Sequence, residues 1–174
     1  MSIAERLIAR VTRRGPDFVI GGADDPYLRR WWVTPWSGKY RTDNGGTDTW
    51  WKAIVRRLPG VYLHEFLRDD DDRALHDHPW ANVSILLRGQ YVEHTIAAGG
   101  VETSTLIQAP AVRVRWTGRI AHRIALVDAV PCWSLFITGW RYRDSGFHCR
   151  KGWVFWKDFV NTDDIGKVGK GCDR

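Results

Sequence analysis

From residue 61 onward the chain divides into short runs of strand-forming residues at regular intervals, and that spacing constrains its fold more than any other feature. The runs are Val61–Leu67, Asn82–Leu87, Gln90–Ile96, Thr103–Ile107, Val112–Trp116, His122–Val127 and Trp133–Thr138. Turn-forming residues separate most of them: Arg88-Gly89, Ala98-Gly99-Gly100, Ala109-Pro110, Thr117-Gly118 and Asp128–Pro131. Many short strands punctuated in this way build an antiparallel sandwich or barrel, so the fold class expected is all-β. A chain of 174 residues is long enough to bury one core without staples, and it is read as a single domain, 1–174. No internal repeat or low-complexity tract interrupts the pattern.

The two ends differ from this middle. Ser2 followed by Glu5 fits a capping box, and Ile3, Leu7, Ile8 and Val11 recur at helical spacing, which predicts a short amphipathic helix within 2–14 that stops at Gly15-Pro16. Its Arg6, Arg10, Arg13 and Arg14 are expected to be solvated. Residues 15–59 are rich in Gly, Asp, Pro and Trp, with Trp31-Trp32-Val33 and Trp50-Trp51-Lys52 as dense apolar points. Such a stretch is expected to wrap the strand region, which spans 60–140, with tryptophans as pegs. The segment 141–162 is too aromatic to be loose, whereas 163–174 has little to bury and reads as a flexible tail.

The formal charge is +6, but the basic pairs Arg13-Arg14, Arg29-Arg30 and Arg56-Arg57 are scattered, so nucleic-acid contact is not favoured over a solvated basic surface. No run of about 18 apolar residues exists and the start lacks a secretory pattern, so no membrane partner and a cytoplasmic location are expected. Cys132, Cys149 and Cys172 are an odd, spread set without a C-x-x-C pair, read as reduced thiols.

Three of the six histidines occupy ligand-like positions. In extended backbone, residues i and i+2 face the same way, so His76 and His78 in Leu75-His76-Asp77-His78 project two imidazoles to one side, while Asp77 points away as a turn or supporting residue. His122, on a later strand, is the best candidate for a third ligand to a first-row metal. Parity continued from His78 brings Trp80, Asn82, Ser84 and Leu86 to that face. His64, Tyr91 and Glu93 are further candidates for a pocket, as are Trp116, Trp140 and Arg123. His148-Cys149 holds the atoms of a second metal site without a matching pair, and Asp69–Asp72 lacks the alternation of a calcium loop and reads as solvated.

The order His76-x-His78, Asn82 and then Gly89 resembles the first motif of the cupin superfamily, and Thr117-Gly118 followed by His122 resembles a degenerate second motif. Over roughly 60–140 the chain is also similar to small cupin-like proteins encoded by bacteriophages, which would place it in a host cytoplasm. The resemblance implies an antiparallel jelly-roll barrel, often dimeric, with one metal. Where that family places a Glu ligand this chain has Asn82, which leaves a three-histidine site with Asn82 or Asp77 as fourth ligand or support.

Three neutral imidazoles leave a divalent ion its charge and open positions, which suits Fe(II) above all, with Zn, Mn or Ni as alternatives. The leading expectation is a metal-dependent, dioxygenase-type oxidoreductase acting on a small molecule or nucleotide, with Arg113, Arg115 or Arg123 holding an anionic substrate. Two others stay open: a metal-free epimerase-like cupin using His76 or His122 as base, and a non-catalytic module binding a ligand or nucleic acid.

Overall fold

The computed structural model describes residues 1–21, 24–40, 54–55, 57–70, 74–96, 100–161, 163 and 168–173. Trp50, Trp51 and Lys52, and Asp71 and Asp72 of the acidic run, lie outside the described residues.

Each of the seven runs forms a strand. They are β3 (Gly60–Phe66), β5 (Asn82–Arg88), β6 (Gln90–Ile96), β7 (Glu102–Gln108), β8 (Ala111–Arg115), β9 (His122–Leu126) and β10 (Cys132–Thr138). Five more come from the flanks and the histidine motif: β1 (Phe18–Gly21), β2 (Pro26–Trp32), β4 (Leu75–His76), β11 (Gly146–Cys149) and β12 (Gly152–Phe155). Among the described residues the strands make two six-stranded sheets, β1-β2-β3-β10-β5-β8 and β12-β11-β4-β9-β6-β7, antiparallel throughout. The sheets are open, so the barrel expected from the cupin resemblance is not a closed hydrogen-bonded sheet here.

The tight β5–β6 connection carries the chain from one sheet to the other through Gly89. Its φ of +86° is open to glycine, and a Cβ there would lie 2.8 Å from Cys132 Cβ. Between the sheets sit Leu28, Phe66, Leu86, Tyr91, Ile107, Ile124, Leu126 and Cys132. A second cluster, Ile8, Trp31, Leu63 and Trp133 with Leu87 packed on it, lies where α1 (Ile3–Val11) covers the first sheet. The capping box forms as the sequence predicts, while Ile3 is 82% exposed and takes no part in the apolar stripe. Trp31 stacks on Trp133 at 5.5 Å, acting as the peg expected of the wrapping segment.

The C-terminal side departs from expectation. Cys149 and Cys172 are joined in a disulfide, and Cys132 is a buried free thiol, so the reading of three reduced cysteines is corrected. Spacing in sequence could not reveal the pair, because β11 and the last residues meet only where the chain beyond α2 (Trp156–Phe159) comes back on itself, with Val168 bridging Val160 antiparallel. The described residues of the expected tail are tied back, with Gly169 and Gly171 both donating to the Phe159 carbonyl. No helix of the described residues is long and apolar enough to cross a membrane.

Candidate metal centre

His76 and His122 are direct partners across β4 and β9, which puts their side chains next to each other on one face. His78 lies just past the end of β4. Its N–H donates to the Gly118 carbonyl at 2.9 Å, and its own carbonyl accepts from Arg143 at 3.1 Å. Gly118 can approach this closely because it lacks a side chain: a Cβ there would stand 2.1 Å from the His78 oxygen. The glycine of the degenerate second motif therefore fixes a residue of the first.

The ligand atoms of His76, His78 and His122 lie within 4.8 Å of one another, and the Nε2 atoms of His78 and His122 face each other at 2.9 Å. Two nitrogens bound to one ion at about 2.1 Å and at a right angle would be separated by about 3.0 Å, so the spacing suits a shared ion as well as a shared proton.

The groups behind the imidazoles decide which nitrogen faces inward. Glu93, 1% exposed, stands 3.2 Å from His122 Nδ1. Burial raises its carboxyl, but the hydrogen bond from His122 and the charges of Arg115 and Arg113 overcome this and bring it to about 2. Arg115 Nη2 also reaches His122 Nδ1, at 3.1 Å, but it is ion-paired with the same carboxylate; with Glu93 as the acceptor, Nδ1 carries the proton and Nε2 is left as a lone pair. Burial, with Arg115 and His76 adding to it, holds His122 down at about 3 despite that bond. His78 is also pulled well below the usual imidazole range, first by burial and then by the charges of His122, His76, Arg115 and Arg30. Both imidazoles are in the neutral, metal-ligating form. Behind His76, Asp70 Oδ2 lies 3.7 Å from Nδ1.

Asp70 is a functional candidate that the reading of the acidic run missed. Its N–H and Oδ2 pair with the carbonyl and N–H of Ile124, and Asp69 Oδ1 accepts from Leu126 N–H. The two residues thus serve as partners for the β9 backbone, Asp69 while remaining exposed and Asp70 while partly buried. Their position next to the His-x-His motif was the available signal.

The three histidines line a cavity of about 260 Å³ between the sheets, together with His64, Trp80, Ser84 and Tyr91 from the sequence reading, and Arg30, Asp70, Ser134 and Phe136, which it did not single out. Burial pushes the Tyr91 phenol up to about 12, so it stays protonated. Glu93 is one layer behind the cavity wall. Asn82 is buried, with Oδ1 accepting from Arg115 at 3.2 Å, and it does not line the cavity. Asp77 points away as parity requires, accepting from Gly146 N–H, Trp153 Nε1 and Arg143 and pairing with His148. With Cys149 in a disulfide, His148-Cys149 is not a second metal pair.

Trp116 is 85% exposed and Trp140 is also exposed, so neither lines the cavity. Arg123 has the opposite parity from His122 and pairs with His94 on the outer side of the second sheet. Arg113 and Arg115 face inward, but both are committed to Glu93, while Val112 and Val114 on the same strand face solvent. This inversion of β8 follows from the buried Glu93 carboxylate, which needs cations beside it more than the core needs two valines.

No protein-family model matches the chain, and no curated protein sequence does. Solved structures with a similar fold include oxalate decarboxylase from Bacillus subtilis, 13% identical over 78% of this chain and 30% of that one at a TM-score of 0.48; its Mn(II) centres are the subject of that structure. Another is Fe(II)-HppE with the alternative substrate (S)-1-HPP, 12% identical over 72% of this chain and 56% of that one at a TM-score of 0.48. This chain thus spans less than a third of the oxalate decarboxylase chain to which it is similar.

Proposed function

We propose that this chain is a cupin-type metalloprotein that holds one divalent ion on His76, His78 and His122 and uses it as an oxidoreductase toward a small molecule. The observation that carries this reading is the pair of carboxylates behind the imidazoles. Glu93, 3.2 Å from His122 Nδ1, aims the opposite nitrogen of that ring into the cavity, as supporting carboxylates do for metal-bound histidine, and Asp70 Oδ2 stands 3.7 Å from His76 Nδ1, near but not hydrogen-bonded.

When bound, a divalent ion on three neutral ligands supplies Lewis acidity with its charge intact, and iron would add one-electron redox chemistry, which makes Fe(II) the leading choice over Mn, Zn or Ni. The protein's part is orientation and exclusion of water. Phe136, Phe147 and Phe159 wall the cavity with apolar rings, and Gly118 and Arg143 hold the His78 backbone in place. At about 260 Å³ the cavity falls below the range of about 300–1,000 Å³ usual for drug-sized ligands, which favours a small molecule over a nucleotide.

The metal-free epimerase reading would use His76 or His122 as a base. His122, a buried imidazole held at about 3, is a weak base near neutral pH, which counts against its use in that role. Elemental analysis tests the choice. Wild-type chain purified without chelator and offered Fe(II), Mn(II) and Zn(II) in turn is expected to retain about one ion per chain, and His76→Ala and His122→Ala to retain none. A wild-type chain that takes up none of the three overturns the proposal.

A further inference from the structure

The cavity has a second polar group, built on the other sheet, that the three histidines do not use. Arg30 pairs with His64 between β2 and β3, and His64 pairs with Ser134 between β3 and β10. The three residues therefore form one cross-strand row, and all of them line the cavity. Arg30 Nε donates to His64 Nε2 at 2.9 Å. A ring nitrogen that accepts carries no proton, so the hydrogen of this neutral imidazole is on Nδ1.

Each member of the row has unused donor capacity. Among the described residues no carboxylate pairs with Arg30 and nothing accepts from its terminal nitrogens; its other contacts are the ring faces of Phe18 and Tyr62, at 5.9 and 5.2 Å. No acceptor meets His64 Nδ1 among those residues either. Ser134 is 1% exposed, and among the described residues its Oγ has no hydrogen-bond partner. A half-buried cation without a counter-ion and a buried hydroxyl without a partner are both unfavourable. One bound anion removes both penalties. Arg113 and Arg115 show the contrast, since Glu93 already occupies them.

We propose that Arg30, His64 Nδ1–H and Ser134 Oγ form the site for the substrate's carboxylate and hold the rest of that molecule toward the three imidazoles. The row presents one unpaired cation, which matches a monoanion better than a phosphate dianion. The Phe136 ring lies between the two groups, 5.2 Å from the His64 ring and 5.7 Å from the His78 ring, so a molecule of a few carbons spans the distance. The proposal deepens the metal-enzyme reading and rests on it only for what happens at the far end of the substrate.

The experiment is calorimetric titration of the full chain, with and without chelator, using benzoate, benzyl alcohol and inorganic phosphate as probes. Benzoate is expected to bind in both conditions, while benzyl alcohol and phosphate do not. Arg30→Gln is expected to weaken benzoate at least about tenfold, with Arg30→Lys between the two. A readout that needs no variant is the shift of the Arg30 Nε–H and His64 ring resonances on adding benzoate. Benzoate that binds only with metal present and ignores Arg30→Gln overturns the proposal and leaves the metal centre standing. Preference for phosphate, or no benzoate binding to any form, also overturns it. A chain that retains no metal yet binds benzoate through Arg30 sinks the metal reading instead and supports this one.

Discussion

His122 and His64 are both buried strand histidines that line the same cavity and are held neutral, yet the structure gives them opposite tasks. Behind His122 stands a carboxylate, itself paired with Arg115, that accepts from Nδ1–H and leaves Nε2 as a lone pair turned toward His78. Beside His64 stands a guanidinium that occupies Nε2 and leaves Nδ1–H as a donor. The first arrangement suits a cation and the second an anion. An imidazole has no fixed role of its own, and the charge touching its far nitrogen assigns one.

The contrast between the two histidines is most exposed to test at its strongest contact. Glu93→Gln keeps an acceptor but removes the charge that orients His122, and metal affinity is expected to fall about 10–100-fold in a competition titration against a chromophoric chelator. His64→Gln, at the other end of the cavity, is expected to leave that affinity unchanged; equal losses in both variants would erase the distinction. Asp70→Asn tests the weaker support at 3.7 Å from His76 and is expected to cost nearer the lower end of that range, about tenfold.

The smallest effect is on stability against pH. Burial and the charge of Arg30 hold His64 well below the ordinary imidazole range, so it is neutral when folded and gains a proton when the chain unfolds below about pH 6.5. Its contribution is thus fully present above about pH 6.5 and is lost as pH falls toward the depressed folded value. Denaturant unfolding of chelator-treated chain between about pH 6.5 and 4.5 should show His64→Gln with a shallower fall than wild type, by up to about 1.4 kcal/mol per pH unit. Parallel curves would mean that His64 is not held neutral.

Much of this site is legible in the order of residues along the chain. The i, i+2 spacing of His76 and His78 places two imidazoles on one side, turn residues locate seven strands, and shared parity sends Tyr91 and Glu93 inward together. The tryptophan-rich stretch is harder to resolve, because β2 has no clean alternation: Arg29, Arg30, Trp31 and Trp32 run together, and both of its faces are partly covered. Arg30 therefore reads only as half of a basic pair. Val112 and Val114 mislead for a related reason, since β8 turns its arginines inward to reach a carboxylate that only folding brings near.

Sequence alone determined the strand order along the chain, the capped helix and the two-histidine clamp, because these depend on backbone periodicity over a few residues. Tertiary structure decided what stands behind each imidazole. Arg115 lies 22 residues from Glu93, Arg30 lies 34 residues from His64, and Cys149 lies 23 residues from Cys172. Contacts over such separations are set by the register between strands and by chain reversals, and no local period in the sequence encodes them.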